Sequence, residues 1–171
     1  MMRKLVFFLL LIVTIVCLWP LYSLEVRADG SGELVCHLPA QTGDTFDIIW
    51  THSVTLQPVI ETYLLEKPGQ IPLVQMVFDD NGPNLPAHPE QNTKWTMQDG
   101  KFIVTGYDLV FERVPVVIGA LIANHTLRYN GREISLKDEY RPGGYVHIAL
   151  VREILPVYIQ KEVNLWLKII Q

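Results

Sequence analysis

His52 and Glu61 are the two side chains whose types could do chemistry together. His52 lies at the end of one run of alternating apolar and polar residues, and Glu61 lies in the next run, after a short connection that contains Pro58. If these runs are adjacent strands, a carboxylate opposite an imidazole would orient the ring and favour its charged form. The pair therefore predicts a ligand-binding or acid–base site. A hydrogen-bonded core histidine is the alternative, because His52 shares its face with apolar residues.

Tyr63 and His125 extend this candidate site. Tyr63 has the same phase as Glu61 in the alternating run, so the two side chains point to one face of the predicted strand. His125 has the same phase as Leu127 and is expected to point inward. We predict a binding site formed by these residues, with an envelope enzyme or metalloprotein that uses His52, Glu61 and His125 as the alternative.

Patterns that would name a reaction are missing from the sequence. It contains no Gly-x-Ser-x-Gly elbow, phosphate-binding loop or dinucleotide fingerprint. Cys36, His37 and the other histidines form no close-spaced pair of the kind that zinc sites use. His37 lies on the polar phase of its strand, where we expect it to be exposed. We therefore assign no catalytic residue, expect no metal and no cofactor, and favour a protein that is not an enzyme.

The charge of the chain argues against one class of partner. Lysine and arginine number 14 against 18 acidic residues, which gives a formal net charge of −4. An acidic domain repels phosphate backbones, and no basic stripe with interleaved aromatic residues is present. We expect no nucleic-acid partner.

An uncharged apolar run, Leu5–Leu24, follows the basic residues Arg3 and Lys4. A helix of that length spans roughly 30 Å, the thickness of the hydrocarbon core of a bilayer. Basic residues before the run and acidic residues after it predict a cytoplasmic N-terminus and an extracytoplasmic domain. We assign residues 1–24 to a single-pass anchor in the cytoplasmic membrane and residues 25–32 to a linker. A cleaved signal segment, and hence an exported protein, is the alternative.

Alternation with a period of two predicts an all-β domain over residues 33–152. The dipeptides Asp99-Gly100 and Asn130-Gly131 separate alternating runs and favour two-residue hairpin turns. We predict an antiparallel sandwich or barrel of about eight or nine strands. Residues 79–92 are rich in proline and are predicted to form a surface loop.

The last segment, residues 153–171, is predicted to be an amphipathic extension. One helical stripe of it is apolar, and a strand is the alternative because part of the segment also alternates. Such a helix could lie on the domain or on the membrane. The stripe consists of Leu155, Ile159, Val163, Trp166 and Ile170.

The segment Trp50–Val54, followed by Gln57–Tyr63, resembles a bacterial envelope family of unknown function. Members of that family carry His-Ser-Val followed by Pro-Val-x-Glu-x-Tyr, and the resemblance covers roughly residues 33–152. They are often encoded beside TRAP-type solute transporters of the TAXI class. The resemblance implies an envelope protein associated with solute uptake and a TRAP-type transporter subunit as partner. It implies no catalytic residue.

Anchor, fold and resemblance together predict a membrane-anchored extracytoplasmic accessory or binding domain. Its candidate ligand-binding residues are His52, Glu61, Tyr63 and His125, and the sequence does not identify the ligand. A further alternative is a small-ligand-binding barrel, which would need an internal cavity. The aromatic residues expected to line that cavity are Trp50, Tyr63, Trp95 and Tyr107.

Overall fold

A computed structural model describes residues 2–80, 82–83, 85–88 and 92–170. These ranges hold twelve strands and three helices. The strands are β1 (Pro20–Ala28), β2 (Leu34–Ala40), β3 (Thr45–Thr51), β4 (Pro58–Leu64), β5 (Ile71–Phe78), β6 (Lys94–Gln98), β7 (Lys101–Thr105), β8 (Val110–Phe111), β9 (Val114–Val117), β10 (Thr126–Tyr129), β11 (Arg132–Ser135) and β12 (Tyr145–Ile154). The helices are α1 (Met2–Leu18), α2 (Leu136–Glu139) and α3 (Leu155–Ile169).

The strands form two antiparallel sheets. The small sheet has the order β2-β1-β12-β9, and the large sheet has the order β11-β10-β3-β4-β5-β7-β6, with β8 beside β5. Within the described ranges neither sheet closes on itself, because each ends at a strand with one neighbour. The predicted all-β class is confirmed, and of the two predicted architectures the sandwich is the one observed.

One core joins the two sheets. Phe46 and Ile48 on β3 are each 1% exposed, and they pack in the same cluster as Leu24 and Val26 on β1. Alternate residues of each strand point inward, which is the physical basis of the period of two in the sequence. Burial of each such side chain contributes about 1.5–3 kcal/mol.

Both predicted hairpins are present. Asp99 and Gly100 connect β6 to β7 with φ angles of 52° and 78°, and Asn130 and Gly131 connect β10 to β11 with φ angles of 48° and 74°. Positive φ at both central residues is the geometry that matches the twist of the flanking strands.

The predicted boundaries of the N-terminal segment are wrong. Helix α1 ends at Leu18, and residues 20–28, which we assigned to the anchor and the linker, form β1. Pro20 cannot continue a helix, and Leu24 is fully buried between β2 and β12. No helix in the described ranges is both long and apolar enough to cross a membrane.

Candidate functional site

Glu61 lies on the core-facing side of the large sheet. It follows Val59 and precedes Tyr63 on the inward phase of β4, and both neighbours are at most 5% exposed. On the adjacent strands it lies opposite Ile48 and Met76. A carboxyl group therefore occupies a position where the alternation calls for an apolar side chain, and burial of a charge is costly without a partner.

The hydrogen-bond partners of Glu61 are neutral. The Tyr63 hydroxyl donates to Glu61 Oε2 at 2.8 Å, and the Trp50 side chain also donates to the carboxyl. Burial raises the pKa of Glu61 above its ordinary value, and these two hydrogen bonds offset that rise only in part. Burial and the neighbouring Glu61 also raise the pKa of Tyr63. Among the described residues, no ion pair includes Glu61.

Glu61 opens onto a cleft of about 270 Å³ between the two sheets. One wall comes from β3 and β4 of the large sheet, and the other comes from β9, the edge strand of the small sheet. The loop before β10 closes one end. The lining side chains are Ile48, Trp50, Glu61, Pro115, Val116, Val117, Ala123 and His125. We refer to this space as the Glu61 cleft.

His125 lies at the end of the loop that closes the cleft. Its ring stacks on Trp50 with centroids 6.0 Å apart and planes at 20°. Nδ1 lies 3.2 Å from the Gly119 amide and 3.1 Å from the Ala123 carbonyl oxygen, and burial lowers the pKa of the ring. A Cβ on Gly119 would lie 1.8 Å from that carbonyl oxygen, so this loop needs a glycine there.

The prediction that His52 faces Glu61 across the ladder is wrong. His52 lies just beyond the end of β3, and the register places Ile48 opposite Glu61. The His52 ring is buried and bonds to the Pro83 carbonyl at 2.9 Å, while Nδ1 accepts from the Thr55 amide at 3.1 Å. His52 therefore ties two loops together, and the structure brings only Glu61, Tyr63 and His125 of the predicted site residues to one place.

The aromatic residues of the alternative cavity are also divided. Trp50 lines the Glu61 cleft and packs against both core clusters, whereas Trp95 packs edge-on against Phe78 in the smaller cluster and does not line the cleft. Trp50 was predicted to line the alternative cavity, and it lines the Glu61 cleft. Its signal was its phase, since it shares the inward phase of Phe46 and Ile48.

A second polar cluster lies on the outer face of the small sheet, under α3. Lys161 Nζ lies 2.5 Å from both Glu25 Oε1 and Glu153 Oε2. Glu25, His37 and Glu153 each place a metal-ligating atom within 4.8 Å of the others. The Lys161 ammonium already supplies the cation between the two carboxylates, so we interpret the cluster as an ionic network that holds α3. We refer to it as the α3 network.

His37 belongs to this network, and the prediction that it is exposed is wrong. It does lie on the outer phase of β2, but α3 covers it and leaves it 6% exposed. Nε2 lies 2.8 Å from Glu153 Oε1 and Nδ1 lies 2.6 Å from Glu162 Oε1. A neutral imidazole donates from one nitrogen only, so the two contacts together need a second proton, on the ring or on a carboxyl.

The network shifts the titration of its own members. Burial raises the pKa of Glu153, but hydrogen bonds from Lys161, Ser23 and His37 outweigh burial, and the net change is a lowered pKa. For Lys161, burial lowers the pKa and the bonds to Glu153 and Glu25 raise it by more. Both groups are therefore held in their charged forms.

Because α3 turns its charged side toward the small sheet, its apolar stripe faces outward. Trp166 is 61% exposed, and four more apolar residues of the helix are exposed beside polar ones such as Gln160. Helix α1 lies beside α3 and buries none of its side chains. The exposed apolar side chains on α3 are Val157, Ile159, Val163, Trp166 and Leu167. We refer to α1 and these residues together as the apolar helix surface.

Residues 46–136 match a family described as Domain of unknown function (DUF1850). The chain belongs to this family. Sequence comparison finds no matching curated protein and no matching solved structure.

The DUF1850 match extends from the start of β3 to the start of α2. It contains every residue that lines the Glu61 cleft. It leaves out α1, β1, β2, β12 and α3, and therefore the whole of the α3 network and the apolar helix surface. The family segment thus coincides with the large sheet and the cleft, and the flanking segments supply most of the small sheet and both long helices.

Proposed function

We propose that this DUF1850 protein is a non-enzymatic binding domain that takes a small ligand in the Glu61 cleft and is held at the extracytoplasmic face of the cytoplasmic membrane. The observation that carries the proposal is the inward carboxyl of Glu61. Glu61 lies on the inward phase of β4, has no cationic partner among the described residues, and opens onto a cleft. Such a group costs stability, and binding sites are where proteins keep costly groups.

The form of the cleft supports binding. Its volume of about 270 Å³ is close to the lower end of the range for small-molecule sites, roughly 300–1,000 Å³. Apolar side chains from β9 line one wall, and polar groups are confined to the opposite wall and to His125. A mostly apolar pocket with a few convergent polar groups is typical of ligand sites.

The enzymatic alternative loses the arrangement that motivated it. It required an imidazole and a carboxylate facing each other, and the ring of His52 instead bonds to backbone groups of two loops. His125 is close to the cleft, but its Nδ1 is engaged with the backbone of its own loop.

The apolar helix surface supports attachment to a membrane. A helix that is apolar and exposed all round, beside a second helix whose apolar side faces outward, leaves a continuous surface that water solvates poorly. Arg3 and Lys4 at the start of α1 favour a cytoplasmic N-terminus by charge. The resemblance to envelope proteins encoded beside TRAP-type transporters supports a transporter subunit as the partner.

Binding is tested on the full chain in detergent micelles with ¹⁵N-labelled tryptophan side chains. A set of small neutral, cationic and anionic fragments is titrated while the indole N–H signals are recorded, and Trp50→Phe assigns the Trp50 signal. We expect at least one fragment to shift the Trp50 signal saturably and to leave that of Trp95 in place. No saturable shift with any fragment would contradict a binding function for the cleft.

Location is tested in cells that produce the full chain with a tag before Met1. Protease added to spheroplasts should digest the domain, while the tag stays protected. The protein should remain in the membrane pellet after carbonate extraction, and crosslinking in intact membranes should recover a transporter subunit. A domain that resists protease until the membrane is broken would reverse the proposed side.

A further inference from the structure

The charge balance around the Glu61 cleft points to the chemistry of its ligand. Several other covered carboxylates have cations beside them: Asp47 has Arg128 at 2.8 Å, and Glu25 and Glu153 share Lys161. Glu61 has only the neutral donors Tyr63 and Trp50. A carboxylate that is short of water and of a counter-charge gains most from a ligand that brings a positive charge.

The remaining walls suit a cation with an apolar body. Val116 lies on the inward phase of β9, across the cleft from the carboxyl, and can contact aliphatic groups. Trp50 brings an aromatic ring to the same wall as Glu61; His125 stacks on that ring, and the indole N–H donates to the carboxyl. Burial lowers the pKa of His125, so the ring at the end of the cleft is held in its neutral form and does not repel a positive charge.

The same walls disfavour a bare metal ion. Calcium and magnesium need about six oxygen ligands, and zinc prefers several nitrogen or sulfur ligands. The Glu61 cleft offers one carboxyl, toward which Tyr63 and Trp50 direct hydrogen-bond donors, and one imidazole, that of His125, whose Nδ1 is engaged by its own loop. An ammonium or guanidinium group needs only a few acceptors and tolerates an apolar neighbourhood along its chain.

We infer that the Glu61 cleft binds a small organic cation, an ammonium or guanidinium group on a short apolar body, with the Glu61 carboxylate as its counter-ion. This inference rests on the proposed function, because it requires that the cleft binds a ligand. The cation accepts no hydrogen bond, so it enters with its donors directed at the carboxylate oxygens that Tyr63 and Trp50 leave accessible.

Three probes of one size test the inference on the labelled full chain in micelles: n-butylammonium, n-butanol and butyrate. We expect n-butylammonium to shift the Trp50 indole signal with an affinity at least about tenfold higher than that of n-butanol, which corresponds to about 1.4 kcal/mol. Butyrate should bind more weakly than either. The affinity for n-butylammonium should rise with pH as Glu61 ionises.

Glu61→Gln separates a charge effect from a packing effect. The substitution keeps the shape and should remove the preference for n-butylammonium and its dependence on pH, while n-butanol binds as before. Glu66→Gln, the same change at an exposed position just beyond β4, is the matched control. It should alter neither the preference for n-butylammonium nor its dependence on pH.

The outcomes separate the two proposals. Equal affinities for n-butylammonium and n-butanol, or an ammonium preference that survives in Glu61→Gln, would overturn the cationic ligand and leave a binding cleft in place. No saturable Trp50 shift with any of the three probes, in a protein whose indole signals remain dispersed, would overturn the cationic ligand. Failure of the wider fragment set as well would remove the binding function.

Discussion

At the scale of single residues, Glu61 has the largest influence on which ligands the cleft can bind. Its carboxyl lies in an inward row between Val59 and Tyr63, where its pKa is raised because burial disfavours the charged form. The sequence did reveal that Glu61 and Tyr63 share a face, since strand side chains alternate. It could not reveal that Ile48 and not His52 lies opposite, because that depends on the register and on where β3 ends.

The first prediction concerns the dependence of stability on pH. Since the folded-state pKa of Glu61 is raised, its contribution to stability is full below the ordinary value of 4.5 and is lost as the pH rises through the folded value. Glu61→Gln cannot ionise, so it should match the wild type at about pH 4 and become more stable than it toward about pH 8. Urea unfolding across this range measures the difference.

Glu66→Gln, which changes an exposed carboxylate, should follow the wild-type curve. If the stability difference between Glu61→Gln and the wild type stays constant with pH, the pKa of the Glu61 carboxyl is the same in the folded and unfolded protein.

The second prediction tests the separation of His52 from Glu61. His52→Ala removes the bond to the Pro83 carbonyl and the acceptor for the Thr55 amide, so it should cost about 1–3 kcal/mol. Because the two side chains have different hydrogen-bond partners and share only Trp50 as a neighbour, His52→Ala and Glu61→Ala should be additive within about 0.5 kcal/mol. Denaturant melts of the four variants measure the coupling, and a larger coupling would restore the pairing that the register excludes.

At the scale of elements, features that depend on neighbouring residues could be predicted from the sequence, and features that depend on residues far apart in the chain could not. The turns at Asp99-Gly100 and Asn130-Gly131 were predicted because the required φ angles depend on two adjacent residues. Strand β1 was missed because its apolar residues continue the apolar run of α1, and only Pro20 and the alternation after it favour a strand. The α3 network could not be predicted, since Lys161 and Glu25 are 136 positions apart.

The third prediction concerns the attachment of α3. Lys161→Met leaves Glu25 and Glu153 without their shared cation and should cost roughly 2–3 kcal/mol, less than for a fully buried pair because the Lys161 side chain is 19% exposed. Lys168→Met is the control, because its pair with Glu33 is about half exposed on both sides and should be worth less than about 1 kcal/mol. Urea melts give the stabilities, and hydrogen exchange shows whether α3 loosens.

The sign of the pH dependence follows from the same network. The contribution of Glu153, whose pKa is lowered, is present above the ordinary value of 4.5 and is lost as the pH falls through its folded pKa. The contribution of Lys161, whose pKa is raised, is lost only as the pH rises through a folded value above 10.5. The protection of the α3 amides, which is their exchange rate relative to that of an unstructured chain at the same pH, should therefore be highest between these limits. Protection that is unchanged in acid would contradict the assignment.

The fourth prediction concerns the hairpin between β10 and β11. Gly131 has φ of 74°, so Gly131→Val should cost about 1 kcal/mol or more, because a β-branched residue resists that conformation. Gly131→Asn is the control and should cost less, since asparagine tolerates positive φ. Thermal melts compare the three proteins, and equal melting temperatures would mean that the turn has another geometry.

At the scale of the whole molecule, the two sheets carry different features. The large sheet supplies Glu61 and lies within the family segment, while the small sheet is joined to the two long helices, α1 and α3, on segments outside it. The all-β class was predictable because alternation of this kind depends only on which side chains must avoid water, whereas the choice between sandwich and barrel was left open. The outward direction of the α3 apolar stripe could not be predicted, because it depends on which face of the helix has ion-pair partners on the small sheet.

The fifth prediction tests the apolar helix surface. Trp166→Glu places a charge on the outward side of α3 and should lower the fraction of protein that floats with liposomes by several fold, since a charge is costly in the apolar layer. Asn164→Glu adds the same charge to a position that lines the groove between α3 and β2 and should have little effect. An equal loss of liposome flotation in both variants would indicate general repulsion by charge. No loss of flotation in either variant would mean that this surface does not contact the membrane.

The junction between α1 and β1 has a mechanical consequence. Only Trp19 separates the last helical residue from Pro20, and β1 is hydrogen-bonded on both sides, to β2 and to β12. A force applied to α1 therefore reaches the middle of a sheet directly, where two ladders resist it in shear. Any partner of α1 would therefore pull on the small sheet through a connection of one residue.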